Sequence, residues 1–414
     1  MAGGDFADFV RHVGEASALA AELRPILDRD AFVAAAVAAA ARHGFTVAPS
    51  EVEAAMAGNR HGWLMQTAPL ARSGEPGPIE ALSPRALAGW TPFRTGWADG
   101  TLTLDWCHLG ERRFTDPFFF QTIAMAIGHP FNAAFQQRTR ADALADRPPG
   151  LPVAGFIFHM ARCGSTLCAQ TLAADAGSRV LSEPGPLRGA LEAESFGRVE
   201  PARADAWLAG ILNALAGPRC PEERRVVVKF MAADVLALDR IQRVFPAVPW
   251  LFLYRDPLEI LASQRRRGGA DTQPGQIPPE ALGLTPAEVH TLPPELYQLH
   301  VMAALGRAAL DGLSRAPGRG LVLRYDDLPE ALFDRVPAHF GLRPGPAILA
   351  AMRAAAGRDA KAPDTAFRPD GDAKRREAAP WREAVETIAG PVIAALDAAR
   401  AAAAEGEATQ GNSP

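Results

Sequence analysis

The feature that most restricts the fold is a series of short apolar runs, separated by helical stretches, from residue 152 onward. The runs have four to seven residues, are bounded by turn signals and cover 153–158, 179–182, 224–230, 249–254 and 320–325. Such runs are typical of strands that are buried on both faces. Because helices alternate with them, right-handed crossovers should order the strands into a parallel sheet. We therefore predict an α/β domain over residues 151–403, with a P-loop-like parallel sheet flanked by helices.

The residues before this domain differ from it in composition and in hydrophobic pattern. Residues 1–67 are alanine-rich with a helical pattern, which predicts a small helical domain. Residues 68–150 contain proline-rich loops and then an aromatic block, which we interpret as an extension that packs on the α/β domain, with a hairpin turn at Asp99-Gly100. The final segment, 404–414, has no apolar periodicity and is predicted to be a disordered tail.

The composition excludes several classes of protein. The 414 residues are 48% apolar, which allows a large core, and the net charge of −4 excludes a globally basic nucleic-acid binder. The four cysteines form no CxxC pair, so we expect neither a zinc ribbon nor a disulfide framework. The N-terminus lacks the basic start of a signal peptide, and the longest apolar run is too short to span a membrane. We expect a cytoplasmic protein without a nucleic-acid, membrane or metal partner.

The loop after the first predicted strand combines the features of an anion-binding site. The sequence HMARCGST runs from His159 to Thr166 and passes directly into a helical stretch. Backbone N–H groups and the positive end of the helix converge at such a junction. Arg162 adds a fixed charge, and Ser165 can donate its hydroxyl or cap the helix. The lysine of a Walker A motif is missing, which argues against an ordinary kinase or ATPase.

A second cationic segment follows the fourth predicted strand, in the sequence YRDPLEILAS. Ser263 lies eight residues after Arg255, which is about two turns of the following helix. Open α/β sheets bind ligands at the carboxyl ends of their strands, so both residues could reach one anion if the chain bends at Asp256-Pro257. A third motif, LRYDDL at 323–328, follows the last predicted strand.

In their order and separation, the three motifs resemble those of the sulfotransferase family, over about residues 152–380. HMARCGSTL resembles the 5′-phosphosulfate-binding loop, YRDPLEILAS the 3′-phosphate-binding strand and helix, and LRYDDL the later strand. The resemblance implies a P-loop-type α/β fold. It also implies in-line transfer of a sulfuryl group from 3′-phosphoadenosine 5′-phosphosulfate (PAPS) to a hydroxyl or amine, with no metal required.

The resemblance implies roles for individual residues. Arg162 would stabilise charge on the leaving phosphate, and Arg255 and Ser263 would hold the 3′-phosphate. The basic cluster Lys374-Arg375-Arg376 would close over that phosphate, although the usual glycine-rich form of this element is absent. The 5′-phosphate would be held by four residues of the loop: Cys163, Gly164, Ser165 and Thr166.

The transfer also needs a base for the acceptor proton. Tyrosylprotein-type and several bacterial members use a glutamate just after the second strand, and Glu183 has that position here. The resemblance therefore implies that Glu183 is the catalytic base. Lys229, at a strand end, is either a cation of the same site or a solvated residue. The alternative bases are three histidines: His159, His290 and His300.

Two other functions stay open at this point, a P-loop small-molecule kinase and a non-catalytic nucleotide-binding adaptor. Residues 5–63 resemble the nitrogen-fixation-type leader segments of ribosomally made peptides, through a short helix, the Gly44-Phe45 stop and the Glu51-Val52 helix start. This resemblance would place the protein in a peptide natural-product pathway, with the segment as a recognition element. The other interpretation is an ordinary helical cap. We expect the acceptor to be a small molecule or a peptide.

Overall fold

The computed structural model describes residues 5–58, 87–145, 147–195, 199–266, 268, 273–359, 362–366 and 371–410. The chain divides into two compact units. One consists of Met1–Pro152 and Pro184–Arg225, and the other of Val153–Glu183 and Val226–Pro414. The N-terminal segment of the first unit ends at Pro152, close to the predicted boundary at 150. Residues 184–225 also belong to the first unit, whereas we predicted that they belong to a single domain over 151–403. Residues 59–86, which belong to the predicted 1–67 and 68–150 regions, lie outside the described residues.

The helices and strands of the described residues are as follows in chain order. The helices are α1 Phe6–Glu15, α2 Ser17–Leu23, α3 Arg29–Arg42, α4 Pro49–Gly58, α5 Phe119–Ile127, α6 Pro130–Ala134, α7 Ser165–Ala173, α8 Gly185–Ser195, α9 Pro201–Leu215, α10 Leu238–Val244, α11 Pro257–Arg266, α12 Pro279–Leu282, α13 Pro286–Thr291, α14 Pro294–Arg315, α15 Arg335–His339, α16 Pro346–Ala356, α17 Gly371–Glu377, α18 Arg382–Ile388 and α19 Gly390–Gln410. The strands are β1 Trp90–Ala98, β2 Thr101–His108, β3 Gln137–Arg140, β4 Val153–His159, β5 Ser178–Ser182, β6 Arg225–Lys229, β7 Trp250–Tyr254, β8 Gly320–Arg324, β9 Arg358–Asp359 and β10 Ala362–Ala366.

The first unit combines helices with a small antiparallel sheet in the order β1-β2-β3. The helical N-terminal region is confirmed, and so is the hairpin, since Asp99-Gly100 connects β1 to β2 with positive φ at both residues. Aromatic rings form part of its core, with the ring of Phe135 5.6 Å from that of Phe9 and 5.7 Å from that of Phe32. The packing of residues 68–150 on the α/β domain stays a prediction.

The second unit contains the predicted sheet. Its five strands lie in the order β5-β6-β4-β7-β8, with β4 parallel to β6 and β7, and β7 parallel to β8. The predicted α/β class with a P-loop-like parallel sheet flanked by helices is confirmed. Because the strands are parallel, the residues that follow β4, β6 and β7 meet at one edge of the sheet. These residues include the predicted anion loop and Arg255.

The core of the second unit explains why the sequences of its strands are continuous apolar runs. Ile157 of β4, Val227 of β6 and Leu251 of β7 are fully buried, and they belong to one cluster with Leu172 of α7 and with Phe340. Burial of a side chain of this size contributes about 1.5–3 kcal/mol to folding. The next residues along the same strands, Phe158, Val228 and Phe252, point to the other face and are fully buried as well, so both faces of the sheet are covered.

The C-terminal end differs from its prediction. Helix α19 continues to Gln410, so residues 404–410 are helical rather than disordered, and 411–414 lie outside the described residues. Alanine and glutamate are favourable helix formers, and they extend a helix that is anchored by the fully buried Leu396. No helix within the described part of the chain has the length and apolar character that a membrane crossing requires.

Candidate functional site

The loop between β4 and α7 has the backbone shape of an anion-binding turn. Gly164 has φ +88° and Arg162 has φ +61°, and α7 begins at the next residue after the glycine, Ser165. A Cβ atom on Gly164 would lie 2.8 Å from Cδ1 of Leu328 and 3.1 Å from Cδ2 of Tyr325. Glycine is therefore needed both for the conformation and for the close approach of the third motif. The turn directs backbone N–H groups and the N-terminus of α7 to one side.

Arg162 connects the first two motifs directly. Its Nε donates a hydrogen bond of 2.7 Å to Oγ of Ser263, which is buried on α11. The two residues were predicted to bind different ends of the same ligand, so their contact places the anion loop beside the expected 3′-phosphate residues. The guanidinium group also brings a positive charge to this junction.

Arg255, in the second motif, contacts residues of the first and the third motif. Its guanidinium carbon lies 3.7 Å from the centre of the Tyr325 ring, which is a close cation–π contact. Its Nη1 lies 3.5 Å from the backbone oxygen of Arg162, and its Nε donates a hydrogen bond of 2.6 Å to Oε2 of Glu259. Arg255, Arg162 and Tyr325 therefore belong to one cluster.

Glu259 is a residue that sequence reasoning missed. It is buried on α11 and forms ion pairs with Arg255 and with Arg375 of α17. Arg375 also pairs with the exposed Asp372. The structure thus brings Arg375 of the C-terminal basic cluster to the predicted 3′-phosphate residues. The signal in the sequence was the spacing of Glu259 four residues after Arg255, across the start of α11.

The other residues that were predicted to bind the nucleotide differ in their burial. Lys374 is buried on α17, whereas Arg376 is exposed. The thiol of Cys163 is fully buried, so this residue could present only its backbone to a ligand. Ser165 and Thr166 are the first two residues of α7 and are buried as well.

Glu183 lies directly after β5 and forms an ion pair with Lys229 at the end of β6. The backbone N–H of Glu183 donates a hydrogen bond of 2.7 Å to the carbonyl of Lys229, and Lys229 Nζ donates one of 3.3 Å to Oγ of Ser182. Lys229 has no exposed surface, which decides against a solvated strand end, while the Glu183 side chain is 24% exposed. The carboxylate is therefore the member of the pair that solvent can reach.

The charges around Glu183 keep its carboxylate ionised. Burial raises the pKa of Glu183, but the charge of Lys229 and the contact with His159 outweigh this and lower the pKa to about 2. Glu183 also has φ +61°. Among the described residues of the second unit, Arg162 and Glu183 are the non-glycine residues with positive φ. Such conformations are concentrated at functional sites, and here they occur at the two predicted catalytic residues.

His159, the last residue of β4, lies beside this pair. Its Nε2 is 3.7 Å from Oε1 of Glu183 and 3.1 Å from the carbonyl oxygen of Phe230, and its Nδ1 is 2.9 Å from the carbonyl oxygen of Met160. The other two candidate bases, His290 and His300, lie on α13 and α14, outside these contacts.

The arrangement places two groups of side chains at the carboxyl ends of neighbouring strands. Arg162, Arg255 and Ser263 provide charge and hydroxyl groups suited to phosphate-like anions, and Glu183 with Lys229 provides a reachable carboxylate next to a buried cation. Within the part of the chain that the structure describes, no cluster of three or more metal-binding side chains is found.

No protein-family model matches the chain, and no curated protein matches it. Solved structures do. The sulfotransferase domain from the curacin biosynthetic pathway is 16% identical, covers 60% of this chain and 98% of its own, and has a TM-score of 0.37. Sulfotransferase STF9 from Mycobacterium avium is 15% identical, and the match covers 51% of this chain and 69% of STF9 with a TM-score of 0.33. The sulfotransferase domain from the Synechococcus PCC 7002 olefin synthase is 17% identical, and the match covers 57% of this chain and 89% of that domain with a TM-score of 0.34. These sulfotransferase structures are what the chain is similar to in fold.

Proposed function

We propose that this protein is a sulfotransferase that moves the sulfuryl group of PAPS to a hydroxyl or amine of an acceptor by in-line displacement. The observation that carries the proposal is the meeting of Arg162, Arg255 and Ser263 in one cluster. A ligand with phosphate groups at both its 5′ and its 3′ positions would use such a cluster fully, whereas ATP would leave its 3′ side unused.

At the 5′ side, the chain offers the donors that a phosphosulfate needs. The left-handed turn at Arg162 and Gly164 presents backbone N–H groups, and Ser165 and Thr166 carry hydroxyls at the start of α7. The Arg162 side chain would meet the negative charge that develops on the leaving phosphate. Preorganised donors of this kind supply much of the rate in group transfer.

At the 3′ side, the balance of charge favours an anion. Arg255 and Arg375 share the single buried carboxylate of Glu259, and the second partner of Arg375, Asp372, is exposed, so that solvent screens its charge. Ser263 adds a hydroxyl next to them. A 3′-phosphate would be a further anionic partner for these arginines, and ATP lacks this group.

Glu183 is the proposed base. With its pKa near 2 the carboxylate is ionised over the physiological range, and its partial exposure lets an acceptor approach. A hydroxyl becomes strongly acidic as its oxygen bonds to the sulfur, so a weakly basic carboxylate can take the proton at that stage. The buried Lys229 would then stabilise the negative charge that forms nearby.

The donor is tested by calorimetry with three nucleotides: adenosine 3′,5′-bisphosphate, adenosine 5′-monophosphate and ATP. We expect the bisphosphate to bind most tightly and Arg255→Gln to remove most of its advantage over the monophosphate. Arg265→Gln is the matched control. Arg265 lies on α11, the helix that follows Arg255, but its side chain is half exposed and forms a 3.6 Å ion pair with Glu295. Tighter binding of ATP than of the bisphosphate would favour a kinase.

The reaction is tested by incubating the purified protein with PAPS and a mixed library of hydroxyl and amine acceptors that includes peptides. We expect a product heavier by one sulfuryl group in mass spectrometry, and its loss in Glu183→Gln. Binding of the bisphosphate without transfer to any member of the library would favour the non-catalytic adaptor instead.

A further inference from the structure

We propose that His159 is held as an imidazolium ion, and that it is a positioning residue that ties the start of the anion loop to the end of β6. Both of its ring N–H groups would donate to backbone carbonyl oxygens. The charge state of His159 is inferred from the structure alone, while the effect of His159 on donor binding rests on the proposed function.

The hydrogen-bond partners of the ring determine its protonation. Nδ1 faces the carbonyl oxygen of Met160 at 2.9 Å, and Nε2 faces that of Phe230 at 3.1 Å. A carbonyl oxygen can only accept, so both contacts are hydrogen bonds only when each ring nitrogen carries a hydrogen. A neutral imidazole would place one bare nitrogen against an oxygen lone pair. Because His159 is only 5% exposed, solvent does not replace the missing bond.

The charged and titratable groups around the ring come from three elements. Glu183, after β5, lies 3.7 Å from Nε2 and favours the cation, whereas Lys229, at the end of β6, opposes it. Cys163, in the loop, favours the protonated form. Burial lowers the pKa of His159, but the contacts with Cys163 and Glu183 outweigh burial and raise it to about 9. His159 and Lys229 thus share one carboxylate.

The two carbonyls give the cation its positioning role. Met160 is the first residue of the loop that contains Arg162, and Phe230 follows Lys229 directly. His159 therefore links the backbone of the anion loop to the backbone next to the Glu183–Lys229 pair. Loss of its proton would turn one hydrogen bond into a repulsive contact and displace the start of the loop. A ring that must keep both protons is also unable to act as the base, so His159 is excluded from that role.

The charge state is tested by following the imidazole ¹⁵N signals of the full-length protein between pH 6 and pH 11. An ordinary histidine is neutral at pH 8. We expect one ring that still has both nitrogens protonated at pH 8, that titrates near pH 9 and that is absent from the spectrum of His159→Gln. If no doubly protonated ring exists at pH 8 in the unmodified protein, the proposal is overturned, whether or not the variant folds.

The consequence for the loop is tested by titrating adenosine 3′,5′-bisphosphate at several pH values. We expect the affinity of the unmodified protein to fall about tenfold as pH rises through 9. His159→Gln should bind about tenfold more weakly at pH 7 and lack this step. His43→Gln is the control, because it removes an exposed histidine of the first unit. Binding that is unchanged in His159→Gln would refute the positioning role.

The two proposals fail in different ways. A cationic ring together with no binding of the bisphosphate would refute the proposed function and leave the charge state of His159 intact. A neutral ring together with tight binding of the bisphosphate would refute the imidazolium and leave the sulfotransferase proposal standing.

Discussion

Nε of Arg162 donates a hydrogen bond of 2.7 Å to Oγ of Ser263, a residue 101 positions later in the chain. The contact joins the loop after β4 to the helix after β7, and it is possible because these two strands are parallel neighbours in the sheet. The expected donors for the two ends of one nucleotide are therefore in contact with each other. Such preorganisation lowers the entropy that ligand binding has to overcome.

Substitution of Ser263 tests this link. We expect Ser263→Ala to weaken binding of adenosine 3′,5′-bisphosphate about 10-fold, because the variant loses a donor and releases the Arg162 side chain from its position. Isothermal titration calorimetry measures the change. Ser314→Ala is a suitable control, since the exposed Ser314 hydroxyl only donates to the backbone oxygen of Leu310 within α14. Equal losses in both variants would contradict a specific role for Ser263.

Substitution of Glu183 tests the proposed base. We expect Glu183→Gln to lower turnover by about 10²- to 10⁴-fold, because the amide cannot accept the acceptor proton. Donor affinity should fall much less than turnover, since Glu183 contacts Lys229 and His159 rather than the residues proposed to bind the phosphates. Steady-state kinetics and calorimetry on the same preparation separate the two effects. Glu386→Gln, an exposed residue of α18, should change neither. Turnover near that of the unmodified protein would remove Glu183 from the mechanism.

Glu259 is expected to maintain both stability and selectivity. Glu259→Gln leaves two arginines next to a neutral amide in a buried position, and we expect a loss of about 3 kcal/mol in the free energy of unfolding. The preference for the 3′,5′-bisphosphate over the 5′-monophosphate should also fall, because Arg255 loses the partner that orients it. Urea denaturation and calorimetry measure the two effects. A variant that keeps the full preference would show that Glu259 acts only on stability.

The pKa shifts of Glu183 and His159 predict how stability depends on pH. The pKa of Glu183 falls from 4.5 to about 2, so its contribution is complete above pH 4.5 and is lost as pH decreases toward 2. The pKa of His159 rises from 6.5 to about 9, so its contribution is complete below pH 6.5 and is lost as pH increases toward 9. These two groups therefore give their full stabilisation between pH 4.5 and 6.5.

Urea denaturation at a series of pH values measures this window. We expect the unmodified protein to lose stability on both sides of it. His159→Gln should lose less on the alkaline side, and Glu183→Gln should lose less on the acidic side. An alkaline slope that is identical in His159→Gln and the unmodified protein would contradict the raised pKa of His159.

Some contacts of the site had no sequence signal that pointed to them. Glu183 and Lys229 are 46 residues apart, and their pairing follows from the adjacent positions of β5 and β6, which is not visible in either segment alone. The left-handed backbone at Arg162 and Glu183 was equally hidden, because neither residue is a glycine. Residues 184–225 group with the N-terminal unit although they lie between two strands of the sheet in the sequence.

The sequence by itself determined the five strands, the anion loop between His159 and Ser165, and the order of the three motifs. These features depend on hydrophobic runs, turn residues and helix starts, which act over a few neighbouring residues. Only the tertiary structure decided that Arg162 meets Ser263, that Glu183 pairs with a fully buried Lys229, and that Arg375 reaches Glu259. Those contacts depend on strand order and helix packing, which arise from the burial of the whole core and not from any local segment.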